Sequence, residues 1–224
     1  MKTYAEIYPS KNLNNINDAI DALESFDGFN IPDNPLGYPT MPPEVIGYII
    51  RQKFPGKDII INQRLKDINE LKVRSIITAS KAINASIIFT QGDTPKFGKE
   101  FNEVSSSYAM KLAIHRGVES GLILSFKKPL NEILQRMQLK SNIFLVINMD
   151  NPSILENLGT SRLIPYIIVK TKKNANILNK INQTSVDLED LAIYMDTLNK
   201  YSLKGVLFSV PGDNETMENI RDYF

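Results

Sequence analysis

From end to end the chain alternates between short apolar runs and longer amphipathic segments, and this constrains its fold more than any other feature. Runs rich in Ile, Val, Leu and Phe at 3–8, 28–32, 58–63, 86–90, 121–126, 142–148, 163–169 and 205–210 read as strands. Most are continuous rather than alternating, as expected of strands buried on both faces. Helix-like segments lie between them, at 15–25, 43–54, 69–83, 107–116, 130–139, 152–158, 186–201 and 215–223. The first sets Ile16, Ala19, Ile20 and Leu23 at helical spacing, and the second opens with Pro43-Glu44 and is followed by Gly56. Eight strand–helix units of about 28 residues each predict a compact α/β fold, the (β/α)8 TIM barrel, with a doubly wound open sheet as the alternative. No repeat, low-complexity tract or linker interrupts residues 1–224, which read as one domain.

Composition narrows the chemistry. Basic and acidic residues nearly cancel, 26 against 25, and no Lys/Arg run stands out, so neither nucleic acid nor a membrane surface is an expected partner. The absence of Cys excludes disulfides, thiolate catalysis and cysteine-based metal sites. A single histidine, His115, leaves no His-rich metal centre and little for a Ser-His-Asp triad, so no metal is expected. No apolar run reaches the ~18 residues of a membrane span, and Met1-Lys2-Thr3-Tyr4 does not begin a signal peptide. The expectation is a soluble cytoplasmic protein.

In a TIM barrel, function gathers at the C-terminal strand tips. There the chain offers Glu6, Asp33, Asn62 with Arg64, Gln91 with Gly92 and Asp93, Ser125, Asn148, Lys170 and Ser209. Glu6 is the sharpest candidate. Its neighbours Ala5 and Ile7 turn to the other side of the strand, so its carboxyl can face the barrel interior, where desolvation favours the protonated form a proton donor needs. A structural pairing with a lysine is the competing reading. Asp93 can accept from a ligand or serve as a turn former before Thr94-Pro95. Arg64 can hold a phosphate or carboxylate, or form a surface ion pair; Asp67 or Asn69 can cap the next helix. The Pro-rich segment 34–43 and the loop 94–106 would both flank this end.

These pieces resemble the methylenetetrahydrofolate reductase family. Glu6-Ile7-Tyr8-Pro9 is similar to the family's first-strand Glu-aromatic-aromatic-Pro signature, and Ile31-Pro32-Asp33-Asn34-Pro35 to a Val-Thr-Asp-Asn-Pro segment. Met41-Pro42-Pro43 resembles a following Met-Ser-Pro, and 62–69 resembles a His-Leu-Thr-Cys-Arg-Asp-Arg-Asn stretch. Thr90-Gln91-Gly92-Asp93-Thr94-Pro95 resembles an Arg-Gly-Asp-x-Pro loop, and Leu163-Ile164-Pro165-Tyr166 a seventh-strand Ile-Pro-Gly. The resemblance implies a flavin-dependent oxidoreductase barrel that reduces a methylene-tetrahydropterin to its methyl form in one-carbon metabolism. Glu6 would be the general acid that opens the methylene bridge, with Asp93 beside the flavin and pterin. Pro32, Asn62, Arg64, Gln91, Gly92 and Arg136 would hold FAD, and Asp33 and Asn148 the pterin. FMN or a flavin-free mechanism is the alternative, because Pro32, Asn62 and Gln91 replace Thr, His and Arg of the family. A reduced nicotinamide or another donor would supply electrons. A pterin-binding or partner-dependent barrel subunit, or a homo-oligomer, completes the expectations.

Overall fold

The protein is described by a computed structural model over residues 1–179 and 183–224. Among the described residues nine strands occur in chain order: β1 Lys2–Glu6, β2 Gly28–Pro32, β3 Asp58–Arg64, β4 Ser86–Thr90, β5 Ser120–Ser125, β6 Ile143–Ile147, β7 Leu163–Lys170, the two-residue β8 Val186–Asp187, and β9 Gly205–Ser209. Their order in the sheet is β6-β5-β4-β3-β2-β1-β9-β7-β8, and β6 also pairs with β7. That last pairing closes eight parallel strands, with helices between them, into a (β/α)8 TIM barrel as the spacing predicts. All eight expected strands are present.

Contacts group the chain into two compact units. The amino-terminal unit is Glu6–Ile123 with Ser141–Ile143, and the carboxy-terminal unit is Met1–Ala5, Leu124–Lys140 and Phe144–Phe224. In the amino-terminal unit, β2, β3 and β4 run in parallel with Asn30 opposite Ile60, Asn62 opposite Ile88 and Arg64 opposite Thr90. Helices α1 Leu13–Ala22, α2 Pro43–Lys53, α3 Glu70–Ala82 and α4 Ser106–His115 return between the strands. Their starts follow local chemistry. Asn12 and Asn69 accept from the backbone N–H of Asn14 and Lys72, and Pro43 sits at the first turn of α2. At the opposite end, Arg51 caps α3 by donating to the carbonyls of Ile83 and Asn84, at 2.9 and 3.0 Å.

Parity assigns the two faces of these strands. A Cβ on Gly47 of α2 would lie 3.5 Å from Ile59 and 3.8 Å from Ile31, so those two residues face the helices. Asn30, Asn62 and Arg64, of opposite parity, face the interior.

In the carboxy-terminal unit, β1, β9 and β7 are consecutive neighbours, with Tyr4 opposite Leu207 and Tyr166 also opposite Leu207. Helices α5 Leu130–Met137, α6 Ala175–Leu178, α7 Leu191–Leu198 and α8 Asn214–Glu218 belong here. Three helix expectations change. Segment 152–158 is a 3-10 turn at Pro152–Asn157, and 215–223 splits into α8 and a 3-10 turn at Ile220–Tyr223. Segment 186–201 begins as strand: β8 pairs with the tip of β7, Val169 opposite Val186, and Lys170 Nζ meets Asp187 at 2.9 Å. A β-branched residue with a ladder partner follows the strand rather than the helix. Helix α6, unforeseen, is only four residues long.

Close packing of β5 on the Ser141–Ile143 segment leaves no room at Gly121, where an added Cβ would lie 2.9 Å from Ile143 Cβ and press on its carbonyl. Gly121→Ala is expected to destabilise by about 1–3 kcal/mol, read as a lower urea midpoint with unchanged m. An unchanged midpoint would refute the packing described.

Candidate active site

Glu6 ends β1 and is 8 % exposed. The chain continues beside β2, where Ile7 N–H donates to the Asn30 carbonyl at 2.9 Å. In a parallel ladder that bond makes Glu6 the register partner of Asn30, so both side chains lie on the interior face. Asn30 is fully buried, and its Oδ1 accepts from Asn62 Nδ2 at 2.8 Å. A carboxyl and two amides thus occupy adjacent strands on one face, where parallel strands are otherwise apolar. Of the three, Asn30 is the one sequence reasoning passed over. Its signal was a lone amide inside Gly28-Phe29-Asn30-Ile31-Pro32.

Arg64 ends β3 with its guanidinium buried, at 2 % exposure. Nη1 donates to the Asn34 carbonyl and Nη2 to the Asp93 carbonyl, each at 2.7 Å, and Nε lies 3.2 Å from Asp67 Oδ2. One side chain therefore fastens the loops that follow β2, β3 and β4. Gly92, at φ +78°, lies over Arg64, and a Cβ there would come within 2.8 Å of Arg64 Cβ. Gly37, at φ +80°, lets the β2–α2 loop approach the Thr94 carbonyl, and its own carbonyl accepts from Lys96 N–H at 3.1 Å. Arg64 is thus buried rather than part of a surface ion pair, and each of its terminal nitrogens donates to a backbone carbonyl.

Asp33 follows β2 on the helix side of the strand tips. Gln63 Nε2 donates to its Oδ2 at 2.6 Å and Asn34 Nδ2 to its Oδ1 at 2.7 Å. Burial, then the nearby carboxylates of Asp67 and Glu44, outweigh Arg64 and push its pKa up to about 7. As an expected pterin ligand it would have to turn away from these partners. Gln63, between Asn62 and Arg64 at the end of β3, is its buried support.

The remaining candidates separate. Asp93 is exposed, and it is its backbone carbonyl that Arg64 holds. Gln91 Nε2 donates to the Val104 carbonyl at 3.3 Å, and Pro32 sits opposite Asn62 without an N–H to offer. Asn148 belongs to the carboxy-terminal unit, at φ +58° after β6, where its amide joins Ser125 Oγ and Thr184 N–H. Arg136 is in the last turn of α5. That turn is pinned to the start of β7, since Arg162 donates to the carbonyls of Leu139 and Met137 at 2.9 and 2.6 Å. Arg136 is thus at the N-terminal end of its own unit's strands, away from the tips where its cofactor role was expected. Asn69 is the cap of α3, and Asp67 serves Arg64 instead.

Of the residues expected to hold FAD, Arg64 donates to the Asn34 and Asp93 carbonyls and Gln91 to the Val104 carbonyl, Pro32 has no N–H to offer, and Arg136 stands in the last turn of α5. Among the described residues no cluster of three or more metal-ligating side chains occurs, and no helix is long and apolar enough to cross a membrane.

No protein family description matches the chain, and no curated protein sequence does. Among solved structures it is similar to a xylose isomerase-like TIM barrel/4-hydroxyphenylpyruvate dioxygenase fusion protein, at 11 % identity and a TM-score of 0.54. That likeness covers 94 % of this chain and 39 % of the other, and it shows the barrel fold.

Two outcomes follow from the loop clamp. Arg64→Met is expected to lower stability by about 3 kcal/mol in urea titration, because Asp67 and two carbonyls lose a buried partner. Asp33 holds in the folded state a proton that the unfolded chain releases near pH 4, so its contribution to stability is full below about pH 4 and is lost as pH rises toward 7. Melting temperature should therefore fall across that window, and Asp33→Asn should flatten the fall.

Proposed function

We propose that this chain acts on a methylene-tetrahydropterin, reducing the methylene bridge to a methyl group with Glu6 as the general acid. The observation that carries the reading is a buried carboxyl at the tip of β1, in register with Asn30 on a strand face turned from the helices. Glu6 would donate its proton to the bridge nitrogen that becomes the leaving amine. The bridge C–N bond then breaks, and the second nitrogen is left as an iminium. Hydride addition to the iminium carbon completes the methyl group. A proton donor held in place contributes roughly 10²–10⁴-fold to such a step.

The resemblance implies a reduced flavin as the hydride donor; the absence of an N–H at Pro32 and the Gln91–Val104 bond support direct transfer from a reduced nicotinamide as its alternative. The same lack supports a second reading, a pterin-binding barrel subunit whose electron carrier resides on a partner.

Methylene-tetrahydropterin-dependent oxidation of reduced nicotinamide tests the first reading. Glu6→Gln should reduce turnover by at least about 10²-fold while the melting curve stays cooperative. Full activity in that variant would defeat the assignment. Pterin binding without turnover, restored by an added reduced flavoprotein, would favour the subunit.

A further inference from the structure

Three buried side-chain atoms on the interior face lack a hydrogen-bond partner among the described residues: Asn30 Nδ2, Asn62 Oδ1 and Arg64 Nε, the last of which is ion-paired with Asp67 at 3.2 Å. The two amides share a single bond, and turning both over would exchange the atoms without changing the surplus of one donor and one acceptor. Each unmatched atom costs about 1–3 kcal/mol when kept from water. Apolar side chains would avoid that cost, as Ile60 and Ile88 do at the register positions opposite them.

We propose that Asn30 and Asn62 form the recognition edge for an uncharged planar heterocycle that offers one hydrogen-bond acceptor and one donor. The inference rests on the reading that the Glu6 face is where ligand binds. The charge of that ligand follows from its partners. Neutral amides fully satisfy a neutral edge, whereas a phosphate needs cations or a nest of N–H groups, and the nearby guanidinium of Arg64 is held by two loop carbonyls and offset by the Asp67 carboxylate. A wholly apolar ligand would leave both atoms as they are. A cyclic amide, with its C=O beside an N–H, meets both requirements.

The test compares the wild type with Asn30→Leu and Asn62→Leu by thermal shift and calorimetric titration. The probes are pterin, lumazine, uracil and hypoxanthine, with 1,3-dimethyluracil and 1,3-dimethyllumazine lacking the donor, and inorganic phosphate. At least one unmethylated heterocycle should bind the wild type, at least about tenfold more weakly to each Leu variant, and its methylated counterpart should bind poorly. Both unliganded variants should melt close to the wild type, since each removes one unmatched polar atom but also breaks the shared bond and leaves its partner's atom unmatched. Absence of binding by every heterocycle, binding unchanged in both variants, or phosphate binding that depends on the amides would each overturn the proposal. So would variants that melt well below the wild type, which would make the amides a strand-to-strand tie. If pterin is silent while another heterocycle binds through the amides, the edge stands and the pterin reading fails.

Discussion

A guanidinium removed from water must find acceptors for its donors, or it leaves a charge stranded at a cost of several kcal/mol. Arg64 finds acceptors in the Asn34 carbonyl after β2 and the Asp93 carbonyl after β4, and Asp67 after β3 lies 3.2 Å from Nε as its counter-charge. Most of the geometry around the candidate site depends on this arrangement. The loops carry further ties to one another, Lys66 N–H to the Gln91 carbonyl at 3.2 Å and Phe101 N–H to the Lys66 carbonyl. The left-handed residues Asn34, Leu36 and Gly37 are the local conformational cost of bringing the β2–α2 loop into reach.

The same arrangement decides what the site can attract. With the cation of Arg64 shared among carbonyls and one carboxylate, the neighbouring interior face is left with neutral amides and the Glu6 carboxyl. In the proposed reading, recognition there depends on hydrogen-bond pattern more than on charge. Proton transfer and neutral ligands suit such a surface better than phosphates do.

The strands were legible because burial on both faces writes itself as continuous apolar runs, and β2 and β4 fall where those runs do. The caps at Asn12 and Asn69 obey local rules and could be anticipated as a class. What stayed hidden was long-range. Nothing near Arg64 in the sequence announces that carbonyls 30 and 29 residues away will claim its nitrogens. Nor does Asp33 advertise that Asp67 and Glu44 converge on it. Asn30 was missed for a different reason: in an apolar run one amide reads as an interruption, and only the register with Glu6 and the hydrogen bond from Asn62 give it neighbours. Segment 186–201 was misread because helical spacing from Leu191 onward masked two residues that a strand tip captures.

Strand β7 has a consequence of its own. Its eight residues outrun the pairing with β9, which ends at Ile168, so Val169 and Lys170 would otherwise present unpaired backbone to any extended peptide. The two-residue β8 occupies that overhang, and the Lys170–Asp187 contact places opposite charges on its outer margin. A protruding strand end is thereby blunted against edge-to-edge association by ten atoms or so of main chain and one ion pair on the order of 1 kcal/mol or less. Self-protection of this kind lets a barrel keep one long strand without inviting a foreign one to extend it.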